Sequence, residues 1–229
     1  MVNNSIVSES CCVELGNSLV LDEVTFSVNK NSLIAVVGPN GGGKTTLFNA
    51  ITGLVPITNG SIKINGIDAE KGTGNIGYIP QNENLNWKFP LTARQVVNLG
   101  ITKNTPSIPF ISKNNNQLIE ECLNDVGLHD KIEDRVDEMS GGQRQRVLLA
   151  KILAQGANIL LLDEAFSGVD VGSQMDLIEV LRKLKDSGKT IMIATHDINT
   201  IADRFDEVLC LNRHCCAYGD PLKVFTQEV

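Results

Sequence analysis

The chain has 229 residues, of which 42% are hydrophobic and 21% charged, and its formal net charge is -7. That length suits one sizeable domain or a core with a smaller subdomain attached, and the composition is that of a soluble globular protein. No basic stretch offers a footprint for a nucleic-acid backbone, so no nucleic-acid partner is expected. Nothing approaches the roughly 20 consecutive apolar residues of a membrane helix. The opening MVNNSIVSES lacks both the basic and the apolar part of a signal peptide. The expectation is a chain that stays in the cytoplasm unless it docks on a membrane through something else.

Residues 19–37 read as strand, turn, strand. The second strand, LIAVV at 33–37, is a continuous apolar run of the kind a sheet buried on both faces requires. It stops at a glycine-rich loop. Helical spacing then runs through TTLFNAITGL, 45–54, with Gly53 at its close. Residues 60–68 read as a hairpin strand with turn signals at Asn59-Gly60 and Asn65-Gly66, and Ile76 to Ile79 as a further short strand. Between about Gln81 and Met139 the apolar positions, such as Val96, Val97, Leu118, Ile119, Leu123 and Val126, fit helices. The run TKNTPSIPFISKNNNQ, 102–117, is predicted as a loop. From Ser140 a helix, the strand NILLLDE, a helix around 173–186 and the strand TIMIAT, 190–195, alternate. That order predicts an α/β fold with a mainly parallel sheet. The six cysteines, Cys11, Cys12, Cys122, Cys210, Cys215 and Cys216, form no CxxC pair and read as reduced thiols. RHCC, 213–216, contains soft ligands without ligand spacing, and reads as a late strand or turn.

GPNGGGKT, 38–45, fits G-x-x-x-x-G-K-[ST] and sits between a buried strand and a helix. Glycines let backbone N–H groups turn inward around phosphate oxygens, and the helix directs its positive end at the same anion. Lys44 would reach the terminal phosphates, and Thr45 offers a hydroxyl to Mg²⁺, which takes hard oxygen ligands. Four apolar residues, Ile159 to Leu162, end abruptly in Asp163 and Glu164. A buried carboxylate needs a partner. At the carboxyl end of a strand, Asp163 can hold Mg²⁺, directly or through water, while Glu164 points elsewhere and could polarise a water towards the terminal phosphate. In MSGGQ, 139–143, Ser140 and Gln143 have capping-box spacing, and the intervening Gly141 and Gly142 expose bare N–H groups. One nucleotide needs only one such helix start. The second would serve a nucleotide held by another copy of the chain.

Together these stretches resemble the ATP-binding cassette of ABC transporters. GPNGGGKT resembles the Walker A loop, ILLLDE the Walker B strand with its catalytic glutamate at Glu164, and MSGGQ the LSGGQ signature. Gln81 in YIPQ matches the Q-loop glutamine, SGVD, 167–170, the D-loop ending in Asp170, and His196 in IATHD the switch histidine. Six motifs stand in the family's order. The resemblance implies a P-loop NTPase core with a mainly parallel sheet, an N-terminal antiparallel β subdomain and a helical insertion. The core would be residues 1–80 and 140–229, and the insertion residues 81–139. It implies two cassettes sandwiching two ATP molecules. Gly38, Pro39, Asn40, Gly41, Gly42, Gly43, Lys44, Thr45 and Thr46 of one subunit would grip each nucleotide with Ser140, Gly141, Gly142 and Gln143 of the other, and Asp170 would also belong to the nucleotide-binding set. Glu164, His196, Lys44 and Gln81 would serve catalysis, and Thr45, Gln81 and Asp163 the magnesium ion. The partners implied are a second cassette, integral membrane permease subunits and, indirectly, an extracytoplasmic substrate-binding protein. The chain would then sit peripherally at the cytoplasmic face of the cell (inner) membrane.

Two departures from the family's pattern stand out. Met139 replaces the leucine of the signature, a swap of similar volume. The aromatic that usually stacks on adenine would fall at or near Leu15, where none is present, so weaker adenine binding or looser base selectivity is expected. Trp87, Phe89 and Pro90 either fill the core of the small subdomain or line a groove for a permease helix. The stretch WKFPLTARQVVNLG, with LNRHCCAYGDP, is similar to cassettes serving manganese, zinc or iron uptake in bacteria. A soluble cassette without a permease, such as an iron–sulfur assembly scaffold, and a transporter of another cargo are the alternatives.

Overall fold

The computed structural model describes residues 4–71, 75–81, 87, 90–101, 113–165, 169–196 and 201–225, with the backbone alone at 113, 114, 201 and 202. The strands are β1 (Asn4–Leu15), β2 (Ser18–Asn29), β3 (Leu33–Val37), β4 (Asn59–Ile64), β5 (Ile67–Asp68), β6 (Ile76–Ile79), β7 (Ile159–Asp163), β8 (Thr190–Ala194), β9 (Glu207–Asn212) and β10 (His214–Gly219). The helices are α1 (Lys44–Ile51), α2 (Ala93–Ile101), α3 (Lys113–Asp125), α4 (Gly141–Ala154), α5 (Val171–Asp186), α6 (Ile201–Arg204) and α7 (Pro221–Val224).

Six strands form one sheet in the order β10-β9-β3-β8-β7-β6, and four form an antiparallel sheet in the order β2-β1-β4-β5. Every neighbouring pair in the larger sheet is parallel except β9–β10. All five positions of β3, β7 and β8 are buried. Their side chains alternate between two cores, as the pleat dictates. Leu33, Ala35, Leu160, Leu162, Ile191 and Ile193 face α2, α3, α4 and α5. Ile34, Val36, Leu161, Met192 and Ala194 face α1 and the inner side of the antiparallel sheet. α1 is thus held between the two sheets. The carboxyl ends of β3, β6, β7 and β8 lead directly to the glycine-rich loop, Gln81, Glu164 and His196.

Three elements differ from the sequence expectation. β1 escapes a reading by alternation because its pairing with β2 shifts register between Ser8 and Cys11 and again between Cys11 and Val13. α1 is shorter than the helical stretch 45–54: it ends at Ile51 with Thr52 as its C-cap, because Gly53, the expected closing glycine, turns left-handed at φ 71°. The asparagine run is not loop. Residues 113–117 open α3, and Asn116 Oδ1 accepts from Arg94 Nη1 of α2 at 3.0 Å. The rest of that predicted loop, 102–112, lies outside the described residues, as does Phe89. Trp87 packs, partly buried, against the helical core, with the Arg144 guanidinium 5.5 Å from its ring centroid. Pro90 is exposed. No helix among the described residues is long and apolar enough to cross a membrane.

Candidate nucleotide site

β3 delivers the chain into a tight loop whose cross-links are its own. Gly42 N–H donates to the Pro39 carbonyl at 3.0 Å. Lys44 Nζ donates to the carbonyls of Gly38 and Pro39 at 2.9 and 3.0 Å, which holds the ammonium against the loop. Gly43 is the N-cap of α1 at φ 98°, and a Cβ there would lie 2.6 Å from the Leu21 side chain. A glycine is therefore required for both reasons. Behind the loop, Arg213 N–H donates to the Gly42 carbonyl at 2.9 Å and the Arg213 carbonyl accepts from Asp22 N–H at 2.8 Å. The Leu211 carbonyl presses on Gly38 so closely that a Cβ there would sit 1.9 Å from it. The turn between β9 and β10 is the rear wall of the loop, a role that sequence reading missed.

The loop opens onto a cavity of about 500 Å³ lined by Val20, Asn40, Gly41, Gly43, Lys44, Thr45, Thr46, Gln81, Glu164 and His196. Gly38, Pro39 and Gly42 lie behind that lining. The N-terminal end of α1 points into the cavity, a natural seat for an anion. Val20 went unnoticed in the sequence, where nothing marks it apart from its neighbours.

β7 ends in two carboxylates that part company. Asp163 is 2% exposed, and its Oδ2 accepts from the Thr45 hydroxyl at 2.7 Å and from the Tyr78 hydroxyl at 3.4 Å. Its Oδ1 is buried and has no hydrogen-bond partner among the described residues. Burial raises the Asp163 pKa above the ordinary carboxylate value, with the Thr45 hydrogen bond opposing. Glu164 adopts a left-handed conformation, φ 54°, while its N–H donates to the Ala194 carbonyl at 3.1 Å. This turn aims the side chain away from Asp163 and towards Gln81, whose Nε2 donates to Glu164 Oε2. One buried carboxylate oxygen without a partner, next to a threonine hydroxyl, is a donor set that suits a hard divalent cation such as magnesium.

Ser140 and Gln143 form the reciprocal capping box of α4: Gln143 N–H donates to Ser140 Oγ at 3.2 Å and Ser140 N–H to Gln143 Oε1 at 3.0 Å. Asp170 caps α5 by accepting from Ser173 N–H at 3.0 Å, which lowers its pKa. Neither Ser140–Gln143 nor Asp170 lines the cavity. Gly142 has a structural duty, since a Cβ there would meet Ser173 Cβ at 2.7 Å. Ser167 and Gly168 lie outside the described residues. Leu15 is 44% exposed at the tip of the β1–β2 hairpin, outside the cavity lining. The RHCC stretch forms the β9–β10 turn and the start of β10, and no metal-holding group of three or more His, Cys, Asp or Glu occurs among the described residues.

Fold and pocket define a P-loop nucleotide-binding protein. Residues 21–167 match the ABC transporter family. The manganese transport system ATP-binding protein MntB of Bacillus subtilis is 38% identical over 209 residues, covering 91% of this chain and 84% of that protein. The zinc transport system ATP-binding protein TroB of Treponema pallidum is 36% identical over 209 residues, covering 91% and 79%. The crystal structure of a nucleotide-free ATP-binding cassette from an ABC transporter shares the fold, with a TM-score of 0.86 at 23% identity over 98% of this chain and 96% of that one. The chain belongs to the ABC transporter family, as an ATP-binding cassette whose activity is ATP hydrolysis.

Proposed function

We propose that this cassette energises the import of a divalent metal ion, manganese, zinc or iron, into a bacterial cell. The names of the MntB and TroB relatives support the cargo class. On this reading the cassette works as a homodimer, bound peripherally to integral permease subunits at the cytoplasmic face of the membrane, and receives its cargo by way of an extracytoplasmic binding protein. The core is residues 1–80 and 140–229, and the helical subdomain, residues 81–139, carries the contact with the permease. Trp87, half in the core and half out, fits a share in that contact.

The observation that carries the mechanism is a mismatch. The cavity gathers the phosphate loop, Gln81, Glu164 and His196 of one chain, while Ser140–Gln143 and Asp170 stand apart from it. A second copy would bring those groups to the exposed side of the nucleotide. The terminal phosphate then joins the two halves, and its loss lets them part. Lys44 and the loop N–H groups hold the phosphates. Glu164 accepts the proton of the attacking water, whose oxygen bonds to the γ-phosphorus as the bond to ADP breaks. Gln81 steadies Glu164 through its amide, and His196 holds the γ-phosphate. Thr45, Asp163 and Gln81 would hold magnesium. When bound, the ion neutralises charge on the phosphates.

The test is twofold. A polytopic membrane protein should co-purify with the cassette, and a strain without the gene should accumulate less manganese, zinc or iron. Normal accumulation of all three metals in that strain excludes the assignment.

A further inference from the structure

Tyr78 opens the YIPQ stretch that ends in Gln81, where the resemblance gives a role to the glutamine alone, and its hydroxyl reaches the buried Asp163. β6 and β7 run in parallel with Tyr78 opposite Leu161, which places the tyrosine on the same face of the sheet as Asp163. Its ring stands edge-on to Phe48 of α1, centroids 6.3 Å apart at 80°, and Phe48 is fully buried. The ring is therefore held, and the hydroxyl is delivered to Asp163 Oδ2 at 3.4 Å, the oxygen that Thr45 also contacts. Both donors fall on one oxygen. The other, Oδ1, is left buried without a partner among the described residues. A carboxylate tied at one oxygen by two hydroxyls, one from α1 and one from β6, has a defined rotation about its terminal bond.

We propose that Tyr78 is a positioning residue for the metal ion of the nucleotide site: with Thr45 it pins Oδ2 of Asp163 and so leaves Oδ1, the unpartnered oxygen, as the acceptor for magnesium or its water. The proposal rests on the reading of Thr45 and Asp163 as the metal-holding pair. A phenylalanine would keep the ring and its contact with Phe48 while releasing one of the two ties.

The experiment compares wild type with Tyr78→Phe in three measurements: manganese binding, followed by electron paramagnetic resonance in the presence of a non-hydrolysable ATP analogue; analogue binding in EDTA; and thermal unfolding without ligand. The loss of one long hydrogen bond, from the phenol to the Asp163 carboxylate, should weaken manganese binding about two- to tenfold. Metal-free nucleotide affinity and the unfolding temperature should stay at wild-type values. Tyr78→Met, which removes hydroxyl and ring together, should weaken manganese binding at least as much. Equal manganese affinity in wild type and Tyr78→Phe overturns the proposal, and so does an equal loss of metal-free nucleotide affinity, which marks a general structural role. Failure of the underlying reading looks different, because wild type itself would then bind no manganese with the analogue.

Discussion

The side-chain amide of Gln81 donates to the carboxylate of Glu164, so the end of β6 and the end of β7 are tied across the mouth of the cavity. The left-handed turn at Glu164 makes the meeting possible, since it swings this carboxylate away from the buried Asp163.

Glu164→Gln should separate binding from chemistry. A glutamine still presents an oxygen to Gln81 but accepts no proton from water. ATP binding should persist, hydrolysis should fall by about 10²–10⁴-fold, and a dimer should accumulate in ATP on size-exclusion chromatography. Lys44→Ala should act earlier, weakening nucleotide binding by about 10–100-fold, the scale of a charged hydrogen bond. Normal turnover in the glutamine variant would remove Glu164 from its assigned place.

Asp163→Asn should stabilise the nucleotide-free protein while damaging its activity. Burial raises the Asp163 pKa in the fold, so the charged form opposes folding. The stability tied to the protonated carboxyl is complete below the unfolded value near 3.8 and is lost as pH rises through the higher folded value. The asparagine variant should therefore melt above wild type at neutral pH, by roughly 2–4 °C for each kcal/mol recovered at this chain length. The gain should vanish in acid below the unfolded value. Thermal melts across pH decide the point, and an asparagine protein less stable than wild type at pH 7 would refute it.

Gly142→Ala should be damaging for a reason unrelated to phosphate. The new methyl would enter the space of Ser173 Cβ, at 2.7 Å, and drive α4 from α5. Overpacking of this kind costs about 1–3 kcal/mol. Adding Ser173→Gly should return that stability in denaturant titrations. If the double variant stays as unstable as the single one, the clash is not the cause.

Leu15→Tyr should raise ATP affinity relative to GTP. An aromatic at the hairpin tip would supply base stacking worth about 1–3 kcal/mol. Titration of wild type and variant with both nucleotides measures it, and unchanged ATP affinity would show that the adenine lies elsewhere.

Much of the site is legible along the chain because its parts are local. The loop, its lysine and the following helix occupy adjacent residues, and the Ser140–Gln143 cap closes over three. What stays hidden is what depends on distant partners. Nothing near Tyr78 announces Asp163, and nothing near Gly142 announces Ser173 packed against it. β1 is concealed by its bulges, which break the two-residue period that betrays a strand. The asparagines of α3 run against local preference, and Arg94 of α2 supplies a partner for Asn116.

The clasp of Arg213 and Leu211 on the phosphate loop has a further consequence. A polypeptide clipped just after His196 would still contain every residue that lines the cavity, yet nothing would brace Gly38 and Gly42 from the rear. The recognition motifs alone would make a cup without a back, and the hairpin that no motif describes is what gives the cup its shape.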